Sequence, residues 1–317
     1  MDEKSLSKSI LSTLCYFDIF DYPLTLLEIW QWLLADGQAW SLVNLSQVQT
    51  EIENNPALSQ KIKFQNGFYF LAGREEIINI RLSRYAISSH KNQLAIRGVK
   101  ILRFLPFIKF IGLGNNAGNN NLKLDSDIDL FIITTKNCLF TARFLITLFL
   151  GIRRLRRHGQ KITDRLCLSF YVSEDNLDFS QIKINDSDIY LIYWLANLFP
   201  LYDRGGYQRF SLANNWLKEY LPNNLIKQGS RFRQLSDSQW SKLSFKLGEI
   251  ILGGWLGGLV EKFLKSIQLF KMSKNKKSLA QANDSRVIIS STMLKFHEND
   301  RRLLYQDQFK NKLAELL

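Results

Sequence analysis

Apolar positions recur every three to four residues over 6–17, which predicts an amphipathic first helix. Asp21-Tyr22-Pro23-Leu24-Thr25 breaks that period. Thr25, with Glu28 three residues on, forms a capping-box pattern for a second helix over 26–34. A third helix is expected over 46–54 with Ser46 as its cap. Residues 61–64 and 68–71 are β-rich runs around Asn66-Gly67, the strongest short hairpin signal. A helical period then fills 74–104, with Arg81, Arg84, Lys91, Arg97 and Lys100 on one face, read as a solvated face. Next come a strand over 107–113, a loop over 114–126, a strand over 127–134, a helix over 140–157 and a strand over 165–172. That alternation predicts an α/β core inside an α+β chain. Residues 187–317 read as mainly helical, interrupted by a polar, Lys-rich stretch over 271–285 expected to be a mobile loop. The most apolar stretches, 138–152 and 249–260, are shorter than the roughly 20 residues of a spanning helix and are expected to be buried helices. The organisation expected is therefore a module over 1–73, a connecting helix and core over 74–186, and a mainly helical region over 187–317.

The three helices and hairpin of the first module resemble a winged helix-turn-helix. Its charge argues against DNA reading. Residues 1–60 carry two Lys and eight acids, and the candidate recognition helix offers Glu51 and Glu53 where phosphates would have to approach. A structural role, or docking of a protein partner, is the expectation. The whole chain of 317 residues carries a net charge of +13, so the basic surface lies outside residues 1–60 and suits phosphates, nucleic acid or anionic lipid. Cys15, Cys138 and Cys167 are far apart in apolar runs and without zinc-type spacing, which predicts buried free thiols in a cytoplasmic protein. No membrane partner is expected.

The chemistry is concentrated between Phe110 and Thr134. Asp127 and Asp129 stand two apart on a strand, so their carboxylates face one side while Ile128 and Leu130 face the other. Two adjacent carboxylates repel unless a cation sits between them or one is protonated. Oxygen ligands of this kind suit Mg²⁺ or Mn²⁺, which keep positions open for water and phosphate oxygens. The preceding Gly112-Leu113-Gly114-Asn115-Asn116-Ala117-Gly118 loop can turn backbone N–H groups toward a phosphate. A carboxylate pair beside such a loop fits metal-assisted phosphoryl or nucleotidyl transfer.

Gly114-Asn115, eleven further residues, and then Asp127-Ile128-Asp129-Leu130 resemble the signature of the nucleotidyltransferase superfamily typified by DNA polymerase β. The string Ser126-Asp127-Ile128-Asp129-Leu130 resembles its minimal, stand-alone members. The resemblance covers about 108–172. It implies a nucleotidyltransferase-like mixed sheet with flanking helices and a nucleoside triphosphate bound with Mg²⁺ (or Mn²⁺). Asp127 and Asp129 would be metal ligands, with Gly114, Asn115 and Ser126 at the nucleotide. It further implies a third carboxylate on a neighbouring strand; Asp164 is the candidate, with a turn-forming Asp as the other reading, since Cys167 and Ser169 hold the strand positions themselves. Asn115 stands where the family has a smaller residue. The function implied is transfer of a nucleoside monophosphate from the triphosphate to a hydroxyl. The alternative is a catalytically silent module that binds nucleotide or nucleic acid.

Arg153-Arg154-Leu155-Arg156-Arg157-His158 is the densest basic cluster, expected at a helix C-terminus, where cations are favoured, or at a phosphate. Trp194, Trp216, Trp240 and Trp255 are expected in cores or interfaces.

Overall fold

The computed structural model describes residues 3–35, 43–224, 234–274, 286–297 and 300–317. The first module holds helices α1 (Glu3–Asp18), α2 (Leu26–Gln31), α3 (Leu45–Asn54) and α4 (Pro56–Lys61), then strands β1 (Ile62–Gln65) and β2 (Phe68–Leu71). Thr25 and Glu28 close the expected capping box on α2. The cap of α3 is Asn44 rather than Ser46: extended Asn44 accepts from the Gln47 amide, and the Gln47 side chain bonds back. Asn66 and Gly67 both take positive φ, which the hairpin's tight turn requires.

The long helix α5 (Ile77–Leu102) leads to β3 (Ile108–Leu113), the one-turn α6 (Asn115–Gly118), β4 (Ile128–Thr134), α7 (Leu139–Ile152) and β5 (Leu166–Ser173). The remaining elements are α8 (Ile189–Ala196), β6 (Phe199–Asp203), α9 (Gly206–Ala213), α10 (Leu217–Tyr220), α11 (Gln239–Gly253), α12 (Trp255–Ser273), β7 (Val287–Ile289), β8 (Met293–Phe296) and α13 (Arg302–Leu316).

One mixed six-stranded sheet runs in the order β6-β3-β4-β5-β8-β7. Strand β4 pairs antiparallel with β3 and parallel with β5; β6 and β8 add antiparallel on the two sides. The C-terminal third is thus not simply helical, and the division expected at 186/187 runs through a single sheet. Its three strands are only three to five residues long, too short to show a period beside apolar helices. Helices pack on both faces, with Ile111, Ile132 and Tyr171 in one core and Phe110, Phe131 and Phe170 in the other.

The first module shares a core with α8 and α13, where Tyr16 stacks on Tyr193 at 4.1 Å. Three of its acids, Asp18, Asp21 and Glu28, are matched by cations of the same chain. Arg74 pairs with Asp18 and Asp21, Arg84 with Asp21, Arg81 with Glu28, and Lys312 with Asp18. The basic face of α5 is therefore only partly solvated: Arg97 and Lys100 are exposed, whereas Arg81 and Arg84 are paired and Lys91 is buried.

Helix α7 ends five residues before the expected 157. Arg154 turns left-handed, and Leu155–Arg157 run alongside β5, exchanging backbone bonds with Leu166. The stretch 249–260 is not a buried helix. It spans the end of α11 and the start of α12, which meet at 83°, and Trp240 and Trp255 on these helices are exposed rather than packed in a core. Among the described residues no single helix is long and apolar enough to cross a membrane. Of the Lys-rich stretch, 271–273 end α12, Lys274 caps it, and 275–285 lie outside the described residues. All three cysteines are free; Cys15 and Cys167 are buried and Cys138 is half-buried.

Candidate functional site

Ile128 and Leu130 anchor the start of β4 in the core, which turns Asp127 and Asp129 to the opposite face. The Gly114 amide donates to the Asp129 carbonyl oxygen at 3.1 Å and ties the loop to the strand. Gly114 also lies against the Trp194 indole, where a Cβ would come within 3.3 Å. Asn115 takes a left-handed conformation, which Asn tolerates. Its amide nitrogen donates to Asp129 Oδ2 at 2.7 Å, and its oxygen accepts from the Tyr190 hydroxyl at 3.1 Å. Asn115 thus holds the second carboxylate in place.

Asp127 Oδ2 accepts from Arg157 Nη1 at 2.6 Å. On β5, Cys167 is the register partner of Asp129, and ligand atoms of Asp127, Asp129 and Cys167 lie within 4.8 Å of one another. One turn of the pleat further on, Ser169 Oγ donates to Asp129 Oδ1 at 3.4 Å and lies 3.2 Å from His297 Nε2. The three side chains meet through strand pairing, because β4 and β5 are parallel neighbours.

The charges follow from these contacts. Burial, reinforced by Asp127, raises the pKa of Asp129, against the opposing hydrogen bonds from Asn115 and Cys167. Burial and the two carboxylates push the Cys167 thiol up, so it stays protonated. Burial would lower the Arg157 guanidinium, but Asp127 holds it above its usual value. Burial, with Lys295 close by, brings His297 down to about 4, so its ring is neutral near pH 7.

Asp164 does not join the group. It sits in a left-handed turn before β5, and its carboxylate accepts from Lys91 Nζ at 2.8 Å. Lys91 also donates to the carbonyl oxygens of Leu124 and Ser126 at 2.9 and 2.7 Å, so the ammonium fastens the loop that leads into β4. This is the turn-forming reading, with an ionic anchor added. Ser126 Oγ donates back to the Lys123 carbonyl oxygen at 2.8 Å.

Asn115, Cys167 and Ser169 border a cleft of about 1130 Å³. Its walls come from α7, the stretch after α7, β5, α8, α12, β8 and the start of α13, and they carry Arg143, Arg156, Arg157, Lys295 and Arg302. Lys295 and Arg302 are held by Asp300 at 2.8–2.9 Å, and Arg302 also by Asp188 at 2.9 Å, so part of this positive wall is rigid. Of this basic lining the sequence reading singles out only the 153–158 cluster. His297 and Lys295 belong to a short strand and its exit, where period two over four residues carries little signal.

The chain matches no protein-family model, no curated protein and no solved structure.

Proposed function

We propose that the chain is a metal-dependent nucleotidyltransferase, moving a nucleoside monophosphate from a nucleoside triphosphate to a hydroxyl of an acceptor, with pyrophosphate as the leaving group. The observation that carries this reading is the pair Asp127 and Asp129, side by side at the start of a buried strand, tied to the Gly114-Asn115 turn and close to a basic cleft. The donor set fits Mg²⁺ or Mn²⁺: two carboxylates offer hard oxygens, and few protein ligands leave room for phosphate and water. Such an ion, when bound, neutralises phosphate charge and brings the reacting groups into line.

The chain's own residues supply charge and positioning. Arg157 is the countercharge of Asp127 and borders the cleft, so it can swing from carboxylate to phosphate without a long search. Arg156 and Arg143 add positive potential along the same wall. Asn115 holds Asp129 through a hydrogen bond to its carboxylate. We read the N-terminal helices and hairpin as a winged-helix-like module. With Asp18, Asp21 and Glu28 paired inside the chain, that module acts as a buttress for α8 and α13 rather than as a DNA reader.

A specific observation favours a second reading, binding of nucleotide or nucleic acid without turnover. The third position beside the carboxylates is a protonated thiol, Cys167, and not an acid. One experiment separates the two. Wild type, Asp127→Ala and Asp129→Ala are titrated with Mg²⁺-nucleoside triphosphates by calorimetry, then assayed for label transfer from an α-labelled triphosphate panel. Binding and incorporation that both vanish in the variants support the enzyme. Binding that is lost in the variants, with no incorporation by wild type, supports the silent module. Equal binding by wild type and Asp127→Ala overturns the site.

A further inference from the structure

We infer that the bent pair α11–α12, continued by the outer face of α7, docks on an anionic lipid surface and lies in its plane without crossing it. Over both helices only Ser241, Phe245 and Gly257 are buried. Helix α11 presents Trp240, Leu243, Leu247 and Ile250 at spacings of three and four, one side of a helix, with Trp240 74% and Ile250 75% exposed. Helix α12 presents Trp255, Leu259, Phe263 and Ile267 at spacings of four, with Trp255 79% exposed. Helix α7, which packs on α12, adds exposed Phe144, Leu148 and Ile152 at the same spacing. Isolated exposed apolar residues are ordinary; three neighbouring helices with exposed stripes mark a surface meant to be covered.

Charge says what covers it. The two acids of the pair are drawn inward. Glu261 accepts from the Phe140 and Thr141 amides at the start of α7, at 2.9 and 2.7 Å, and Glu249 accepts from Lys109 at 3.3 Å. The charges left outside are ammonium groups, with Lys242, Lys246, Lys262 and Lys271 all exposed. Apolar stripes carrying Trp and flanked by Lys are the make-up of helices that lie in the lipid interface, where indoles sit at headgroup depth and each Lys gains from anionic lipid. A second copy of the chain fits worse, because a two-fold contact would set these lysines against themselves. Together the two helices have the length and apolar content of a broken span, but neither alone is long and apolar enough to cross, and the 83° bend between them favours lying in the interface. Phe144 and Ile267 also line the basic cleft, so its mouth opens next to this face. The inference departs from the expectation of no membrane partner. It does not depend on the nucleotide chemistry.

The test is flotation of the full chain with phosphatidylcholine vesicles, with and without phosphatidylglycerol, at low and high salt. The expected result is binding that needs the anionic lipid, weakens with salt, shifts tryptophan emission to the blue, and falls about tenfold or more in Trp240→Ser/Trp255→Ser and in Lys242→Glu/Lys262→Glu. These are surface positions, and circular dichroism checks that the variants fold. Absence of binding to anionic vesicles at low salt overturns the inference. So does binding that both double variants leave unchanged, or a dimer in light scattering that the tryptophan variant dissolves, which would assign the face to a second copy.

Discussion

Replacing Lys91 by Met, and separately Asp164 by Asn, distinguishes an anchor of the site loop from a metal ligand. The Lys91 side chain is 1% exposed and makes three hydrogen bonds of 2.7–2.9 Å, to Asp164 and to the carbonyl oxygens of Leu124 and Ser126. Bonds from a charged donor contribute ~1.5–3 kcal/mol each before desolvation of the ammonium, several kcal/mol, is set against them. Asp164 is 42% exposed, so water takes over its carboxylate when the ammonium goes, and that pair is discounted accordingly. What remains is two carbonyl oxygens stripped of a donor, for a net loss of about 2–4 kcal/mol. With an unfolding entropy of roughly 2.1 cal/mol/K per residue over the whole chain, Lys91→Met lowers Tm by about 3–6 °C. Asp164→Asn keeps an acceptor for Lys91 and lowers Tm by less than about 2 °C. It leaves Mn²⁺-nucleotide affinity within about twofold, since Asp164 touches neither Asp127 nor Asp129. Calorimetric melts and Mn²⁺ titrations read both effects. A tenfold or larger loss of Mn²⁺ affinity in Asp164→Asn at unchanged Tm would make Asp164 a ligand after all and refute the anchor.

Gly118→Ala drives a Cβ into the backbone carbonyl of Asn197, where no side chain can swing away, and should cost ~3 kcal/mol or more. A melt within a degree of wild type would show that α6 does not press on the end of α8. Burial would raise the Asp237 carboxyl, but hydrogen bonds from Arg204, Tyr202 and Ser241 hold it at about 2. Its folded pKa lies below the unfolded value, so its stabilisation is complete above about pH 4 and is lost as pH falls toward 2. Urea unfolding across that window should show this slope in wild type and not in Asp237→Asn; parallel profiles would count against it. Cys167→Asp supplies the third carboxylate beside Asp127 and Asp129, and should tighten Mg²⁺ binding by at least about tenfold. An unchanged Mg²⁺ titration would mean that Cys167 does not face the ion.

The carboxylate pair is legible in sequence because a strand's period of two places Asp127 and Asp129 together whatever surrounds them. Thr25 and Asn66-Gly67 are legible for the same reason: capping and tight turns are local chemistry. Asn44 escapes notice because Asn and Ser two residues apart are both good caps, and only the backbone angles decide. Asp164 misleads because proximity in sequence to β5 says nothing about which way a turn residue points, and the cation that claims it lies 73 residues upstream. Apolar content over 249–260 misleads in the opposite direction. Hydrophobicity reports that a segment avoids water, and a lipid or partner surface satisfies that as well as a core does.

The sheet explains why the rest of the site lies beyond local reading. Asp129 meets Asn115 through the β3–α6 turn and Ser169 through parallel pairing with β5, and Ser169 meets His297 only because β8 adds beyond β5. Tyr190, which steadies Asn115, comes from α8, the helix shared with the core of the N-terminal module. Apart from the Asn115–Asp129 bond, these contacts join segments 40 to 128 residues apart, so a local window contains only the glycine turn and the carboxylate pair. The acidic N-terminal helices, the sheet and the C-terminal strands must assemble together before two carboxylates on β4 have surroundings at all. The partition into three regions by sequence pattern cuts through this assembly: β6 and β8 lie in the C-terminal region by sequence, yet they flank the strands that hold the site, and the cleft of about 1130 Å³ is walled by α7, α8, α12 and α13 as well as by β5 and β8.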